Sequence, residues 1–377
     1  MSISLCMITK NEEACLERVL RSIQNVVTEI VIVDTGSTDK TKEIAKKFTN
    51  KIYDFSWVDD FSAARNESIR YATSDWILIL DADETIASTD HQLLLDLVGD
   101  DADAFLMTQR TYTNISTALN FVSSSRDQYS ESKPYLGWTS TKIIRLFRNK
   151  KGYLFSGRIH ESVLSSIQRK NSVIKEVNLP IHHFSIEKGS LFLESKKPFY
   201  KKLGELKLRD HPQDVDALYE MAKRVLMEKK FLEAKELLEQ ARVTTPTFPK
   251  TYPLLIYVHA ELGDLAKAEE AFSLAKKYGS DSRSSILTLA IAYERCKNYD
   301  AAINLIYKYE FQSTDFVPLL SLLGNCFFKK QDYATACAFF EKILTLDANN
   351  IKAQSFLIER GHPRSEEFKS FLKKNNI

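Results

Sequence analysis

The chain has 377 residues, 44% hydrophobic and 27% charged, which is the profile of a globular protein long enough for two cores. A net charge of +2 offers no basic field for a nucleic acid. No run approaches eighteen apolar residues, acidic residues come too early for a signal peptide, and the five cysteines form no CxxC pair, so a reduced, cytoplasmic protein without membrane insertion is expected.

The first half alternates strands and helices. ISLCMI reads as a short strand, and NEEACLERVLRSIQNV carries helical spacing at Cys15, Leu16, Val19, Leu20 and Ile23. EIVIVD is a second strand, followed by a helix in STDKTKEIAKKF with Ser37 or Thr38 as its N-cap. KIYDF is a third strand, DFSAARNESIRYA a helix and DWILILDAD a fourth strand. Near-continuous apolar strands alternating with helices predict an α/β domain with a mostly parallel, Rossmann-like sheet buried on both faces. Residues 120–137 are polar and turn-rich and read as a loop, and 141–185 as strands and turns carrying Arg and His. SLFLESKKPFYKKLGELKLRD is an amphipathic basic helix whose charge run reads as a solvated face.

The second half is helical and repeats. Ala234, Ala268, Ala302 and Ala336 are spaced 34 residues apart, and the small-residue positions Ala222, Ala290 and Gly324 keep the same period, with Ile256 as the departure. This is the period of the tetratricopeptide repeat, a helix-turn-helix unit that stacks into a solenoid. The expected organisation is a nucleotide-type domain at 1–185, a connecting helix at 186–213, about four repeats at 214–350 and a helical tail at 351–377. The array is expected to grip a peptide, to join two subunits, or only to stabilise the protein.

In an open parallel sheet, ligands bind beyond the strand C-termini. Three such ends are chemically loaded here: Thr9-Lys10-Asn11-Glu12, Asp34-Thr35-Gly36-Ser37 and Asp81-Ala82-Asp83. Neither GxxxxGK[ST] nor GxGxxG is present, so the phosphates of a nucleotide are expected to be held through Mg²⁺ or Mn²⁺. If the fourth strand continues through Asp83, Asp81 and Asp83 point the same way and face one ion, or one meets the metal and the other a ribose. The metal supplies the positive charge that three crowded acids require.

Together, SLCMITKNEE, EIVIVDTGSTDKT, DFSAARN and LILDADE resemble glycosyltransferase family two, the inverting GT-A transferases, over residues 3–85 and more weakly to about 185. The resemblance implies a uracil contact for Asp34, a nucleotide contact for Arg65 supported by Asn66 or Asp60, ribose and metal contacts for Asp81 and Asp83, and a uridine pocket lined by Thr9 and Glu12. With the repeats, IIRLFRNKKGYLFSGRIHES and LPIHHFS resemble the bacterial enzymes that glycosylate peptides, including those that glucosylate bacteriocin precursors on Cys or Ser. The family's catalytic ED element is not evident.

An inverting transfer needs one base in the crevice. GRIHES offers Glu161 first and His160 second, with Asp127 or Glu131 as further candidates and an ordinary exposed pair as the plain alternative. His183 is a candidate third metal ligand, or a packed histidine like its neighbour His182. Arg145 and Arg148 can clamp a diphosphate or pair with surface acids. Trp138 and Tyr135 suit sugar stacking or a core. The sequence thus points to a metal-dependent glycosyltransferase using a UDP-sugar, with a peptide or protein as acceptor. The alternatives are a glycan or lipid acceptor, a sugar-nucleotide-binding scaffold without turnover, and a nucleotidyltransferase, which the glycine-free TKNEEAC disfavours.

Overall fold

The computed structural model describes residues 1–115, 121–279, 282–310, 316–361, 365–366 and 369–370. It divides into two units, Met1–Asp210 and His211–Ile377. The basic helix expected between two domains belongs to the first unit.

The first unit runs β1 (Ile3–Thr9), α1 (Leu16–Ile23), β2 (Glu29–Asp34), α2 (Thr41–Ala45), β3 (Ile52–Asp54), α3 (Phe61–Arg70) and β4 (Trp76–Ile79). It continues with β5 (Glu84–Thr85), α4 (His91–Leu97), β6 (Ala104–Thr113), β7 (Phe121–Ser123), β8 (Gly137–Arg148), α5 (Leu164–Arg169), β9 (Ile174–His183) and α6 (Gly189–Asp210). The sheet order is β3-β2-β1-β4-β8-β6-β9-β5, with β7 paired to β8. The first four strands are parallel. Beyond β4 the sheet turns mixed: β8 is antiparallel to both β4 and β6, and β6 is parallel to β9.

Strand periodicity divides the core. Ile3, Leu5 and Met7 of β1, with Trp76 and Leu78 of β4 and Leu80 just beyond it, pack on one face against Leu16, Val19, Leu20 and Ile23 of α1. Cys6, Ile77 and Ile79 face the other way, onto Val163 and Ile167 beside and within α5. Each such aliphatic side chain removed from water contributes about 1.5–3 kcal/mol. The burial fixes the strand ends and therefore the loops that follow them.

Three expectations change. β4 stops at Ile79, and the Asp81 carbonyl accepts from Glu84 N at 3.0 Å. Asp81 and Asp83 thus lie in a turn, where strand alternation no longer aligns them. α2 begins at Thr41, and its first turn is met by the Asp39 side chain, which accepts from Thr41 N at 3.0 Å. Ser37 instead accepts from Asn11 N at 2.9 Å. Within the polar loop, β7 pairs with β8; residue 120 lies outside the described residues.

The second unit is built of helix pairs: α7 (Val215–Met227) with α8 (Phe231–Thr244), α9 (Thr251–Glu261) with α10 (Leu265–Lys277), α11 (Ser282–Arg295) with α12 (Tyr299–Glu310), and α13 (Val317–Lys329) with α14 (Tyr333–Leu346). α15 (Ile351–Glu359) follows; residues 371–377 of the expected tail lie outside the described residues. Ala234, Ala268, Ala302 and Ala336 are fully buried. At Gly324 a Cβ would sit 2.7 Å from the Phe340 ring, so the helices close only over hydrogen. The corner between paired helices is left-handed at Lys229, Gly263, Lys297 and Gln331, again 34 residues apart. Asp264, Asn298 and Asp332 then cap the second helices through backbone N–H groups. The unit is a tetratricopeptide-type solenoid. Among the described residues no helix is long and apolar enough to cross a membrane.

Candidate functional site

β1 and β2 end side by side, with Thr9 in register with Asp34. Asp34 is 1% exposed. Its Oδ1 accepts from Gly36 N at 3.0 Å and Ser37 N at 2.8 Å, while Thr9 Oγ1 donates to Oδ2 at 3.3 Å. The uracil contact implied for Asp34 meets a carboxylate already committed to shaping its own loop. Gly36 permits that shape, with φ at +101°.

The second cluster gathers beyond β4. α3, capped by Asp60 through Ala63 N at 3.1 Å, carries Arg65 into it, and β8 carries Arg145. Arg65 donates to Asp81 Oδ1 through Nη2 and to Glu161 Oε1 through Nε at 3.1 Å. Arg145 Nη2 reaches Asp81 Oδ2 at 2.9 Å and Glu84 Oε1 at 2.6 Å. Glu84 is fully buried; it also receives Gln109 on Oε1, and Asp81 N on Oε2 at 2.9 Å. Burial opposes ionisation of Asp81, but Arg65 and Arg145 outweigh it and hold the carboxyl well below the usual carboxylate range. The Asp81 side chain keeps 32% exposure, the part a ligand can meet. The positive charge these acids need is supplied first by two arginines of the chain itself.

Asp83 turns to different partners. Phe184 N donates to its carbonyl at 3.0 Å. Its Oδ2 lies 3.0 Å from Lys188 Nζ and 3.6 Å from His183 Nε2. Burial opposes ionisation here too, and His183 and Lys188 outweigh it, lowering the Asp83 pKa. For His183, burial works against the charged form and Asp83 outweighs it, so its pKa is raised. His183 Nδ1 lies 3.1 Å from Thr111 Oγ1. In the tautomer protonated on Nδ1, Thr111 accepts and Nε2 turns its lone pair toward Asp83, the arrangement that a metal-ligating histidine requires. One carboxylate and one imidazole suit Mn²⁺ or Mg²⁺ when phosphate oxygens and waters complete the shell. Among the described residues no three His, Cys, Asp or Glu side chains converge as a metal cluster, and Asp81 is drawn away by its arginines.

Other expected residues have different work. Arg148 stacks 4.7 Å over Trp76 and donates to Ala102 O at 2.9 Å and Asp100 O at 2.7 Å. It pairs with Trp76 at the start of β4, the end of the strand opposite Asp81, and so is no diphosphate clamp. Asn66 uses both ends of its amide on the Phe155 backbone, at 3.0 and 2.8 Å, and pins the segment leading to Glu161. His160 is exposed, with φ at +54°, and Glu161 joins Arg65. Asp127 pairs with Arg110 at 3.0 Å. Trp138 and Tyr135 pack with Tyr112 and Phe184 in a small aromatic core. Glu12, expected to line a uridine pocket, receives Lys188 at 2.9 Å. Lys188 and Gln109 went unseen in the sequence. The signal for Lys188 was slight: a lysine one short turn after a histidine strand end.

Residues 4–164 match the model of glycosyl transferase family 2. A TPR repeat-containing protein of Synechococcus elongatus is 31% identical over 283 residues, covering 72% of this chain and 65% of that protein. The SPbeta prophage-derived glycosyltransferase SunS of Bacillus subtilis is 26% identical over 242 residues, covering 64% of this chain and 53% of SunS. The chain therefore spans between about half and two thirds of the length of these relatives. Among solved structures, S. aureus TarS 1–349 in complex with UDP-GlcNAc aligns with a TM-score of 0.40 at 15% identity, over 82% of this chain and 92% of that one. The strand ends that carry Thr9, Asp34, Asp81 and Arg65's helix all fall inside the matched span, and residues 4–164 form a glycosyltransferase family 2 domain placed ahead of tetratricopeptide-type repeats.

Proposed function

We propose that this chain is an inverting, metal-dependent glycosyltransferase that moves a sugar, glucose or N-acetylglucosamine, from its UDP donor to a Cys, Ser or Thr side chain of a peptide or protein. The observation that carries the proposal is the division of labour at the end of β4. Asp81 is clamped by Arg65 and Arg145, while Asp83 is set 3.6 Å from His183. The family-2 domain and the likeness to the SunS glycosyltransferase support the transferase reading, and a repeat array of the kind that binds extended peptides supports a polypeptide acceptor.

Asp83 and His183 would hold the metal, which when bound neutralises charge on the departing diphosphate. Asp81, fixed by its arginines, presents its exposed side to the ribose. Asp34, Thr9 and Gly36 shape the loop beside the uridine. Glu161 is the base: Arg65 holds Oε1, and Oε2 takes the acceptor's proton as the nucleophile bonds to the anomeric carbon and the bond to UDP breaks. The solenoid holds the acceptor peptide.

The test is Mn²⁺-dependent hydrolysis of a UDP-sugar panel, followed by intact-mass analysis of candidate acceptor peptides. Hydrolysis lost in Asp83→Ala and a mass shift of one hexose or one N-acetylhexosamine on a peptide support the proposal. UDP binding without turnover on any acceptor refutes the enzyme reading, and transfer only to a glycan or lipid refutes the peptide reading.

A further inference from the structure

Lys188 lies just ahead of the basic run that reads as a solvated face, and its own side chain is only 17% exposed. Its Nζ lies 2.9 Å from Glu12 Oε1 and 3.0 Å from Asp83 Oδ2, the same oxygen that faces His183 Nε2. Burial works against its charge, and Asp83 and Glu12 outweigh that, holding it above the usual lysine range. The placement is built by its neighbours. Glu187 is tied to Arg18 at 2.8 Å and to the Tyr135 hydroxyl at 2.6 Å. Arg18 lies 4.3 Å over the Phe184 ring, and Phe184 N holds the Asp83 carbonyl. Gly189, with φ at +77°, then turns the chain into α6.

We propose that Lys188 is a tethered cation that occupies Asp83 and Glu12 while the donor is absent and competes with the divalent metal for Asp83. This rests on the reading of Asp83 as a metal ligand. A metal bonds a carboxylate oxygen at about 2.0–2.2 Å. With the ammonium 3.0 Å from that oxygen, the two cations would crowd one lone-pair region. The lysine must swing off Asp83 for the metal to enter. Its flexible four-carbon stem allows the swing, and Glu12 keeps it tethered. Metal affinity of the donor-free protein is set by this exchange as much as by the ligands.

The experiment titrates the full chain with Mn²⁺ alone, without UDP or sugar, and reads free Mn²⁺ by electron paramagnetic resonance. Lys188→Met is expected to bind Mn²⁺ about tenfold more tightly than wild type, the worth of one charge-assisted hydrogen bond released. Lys188→Arg, which keeps the charge, stays near wild type, and Asp83→Asn abolishes the binding. Lys188→Gln serves if the methionine variant folds poorly, and Mn²⁺ should raise its Tm more than it raises that of wild type. Binding lost in Asp83→Asn but no tighter in Lys188→Met or Lys188→Gln overturns the competition while leaving the metal site standing. Binding that persists unchanged in Asp83→Asn overturns the metal ligand itself, and the competition with it.

Discussion

Glu84→Gln replaces one oxygen at the centre of the buried network, and its cost can be worked from the contacts. Every neighbour of the Glu84 carboxylate donates: Arg145 and Gln109 to Oε1, Asp81 N to Oε2. A carboxamide has one acceptor oxygen, so its NH₂ must face either the guanidinium or the backbone N–H, donor against donor. The change removes a charge-assisted hydrogen bond worth about 1.5–3 kcal/mol and strands a buried donor at about 1–3 kcal/mol. It also takes from Arg145 one of its two paired carboxylates, and breaking one member of a buried pair costs about 3–5 kcal/mol. A loss of about 3 kcal/mol is a large share of a domain's stability of about 5–15 kcal/mol. Urea unfolding followed by tryptophan emission measures it cleanly, because Trp57, Trp76 and Trp138, the three tryptophans of the chain, all lie in the first unit. A midpoint shift equivalent to less than about 1 kcal/mol, at unchanged slope, refutes the network as drawn.

Two further predictions concern stability. Burial raises the Glu29 carboxyl, but Lys51, Ser4 and Thr73 outweigh it and push it from 4.5 down to about 2. The folded value is the lower one, so this stabilisation, on the order of 3 kcal/mol, is present above about pH 4.5 and is lost as pH falls through about 2. Glu29→Gln should therefore flatten the acid limb of the tryptophan-monitored stability curve; an unchanged acid limb contradicts the shift. In the solenoid, Gln331 holds the same left-handed corner that Gly263 holds two repeats earlier. Gln331→Gly should raise stability by about 0.5–1 kcal/mol and Gly263→Ala lower it by about 1 kcal/mol, read by helix ellipticity in urea. Equal midpoints for both variants and wild type would show that the corners carry no strain.

What the sequence reveals follows from how local the information is. β1, β2 and β4 are legible because strands buried on both faces read as unbroken apolar runs, and their last polar residues mark the crevice. The repeats are legible because one packing solution recurs at Ala234, Ala268, Ala302 and Ala336. β6 escapes, since AFLMTQRTYT mixes apolar and polar residues along a strand with half-buried positions. Asp81 and Asp83 take different directions because the chain leaves strand geometry at Ile79, where Glu84 folds back onto Asp81 N, a contact that strand periodicity does not carry. Arg145 and Arg148, alike in sequence, separate because β8 runs antiparallel to β4, placing one at each end of it. Lys188 and Glu12 lie far apart in the chain, and only the turn after β9 brings them together.

His182 and His183 are the same residue side by side, yet they occupy opposite electrostatic worlds. His182 is fully buried, stacked against Tyr112 with its Nδ1 2.6 Å from the Tyr112 hydroxyl, and burial pushes its pKa down to about 4. His183 is drawn toward the charged form by Asp83. What sorts them is a ladder of two residue pairs, Glu84 with His183 and Thr85 with His182, backed by the Thr111–His183 pairing of β6. A one-residue slip exchanges the faces of a strand. A single insertion or deletion near Glu84 would therefore deliver the neutral, aromatic-packed histidine position to Asp83 while every side chain of the site remained in the sequence. Register, as well as residue identity, therefore decides which histidine meets Asp83.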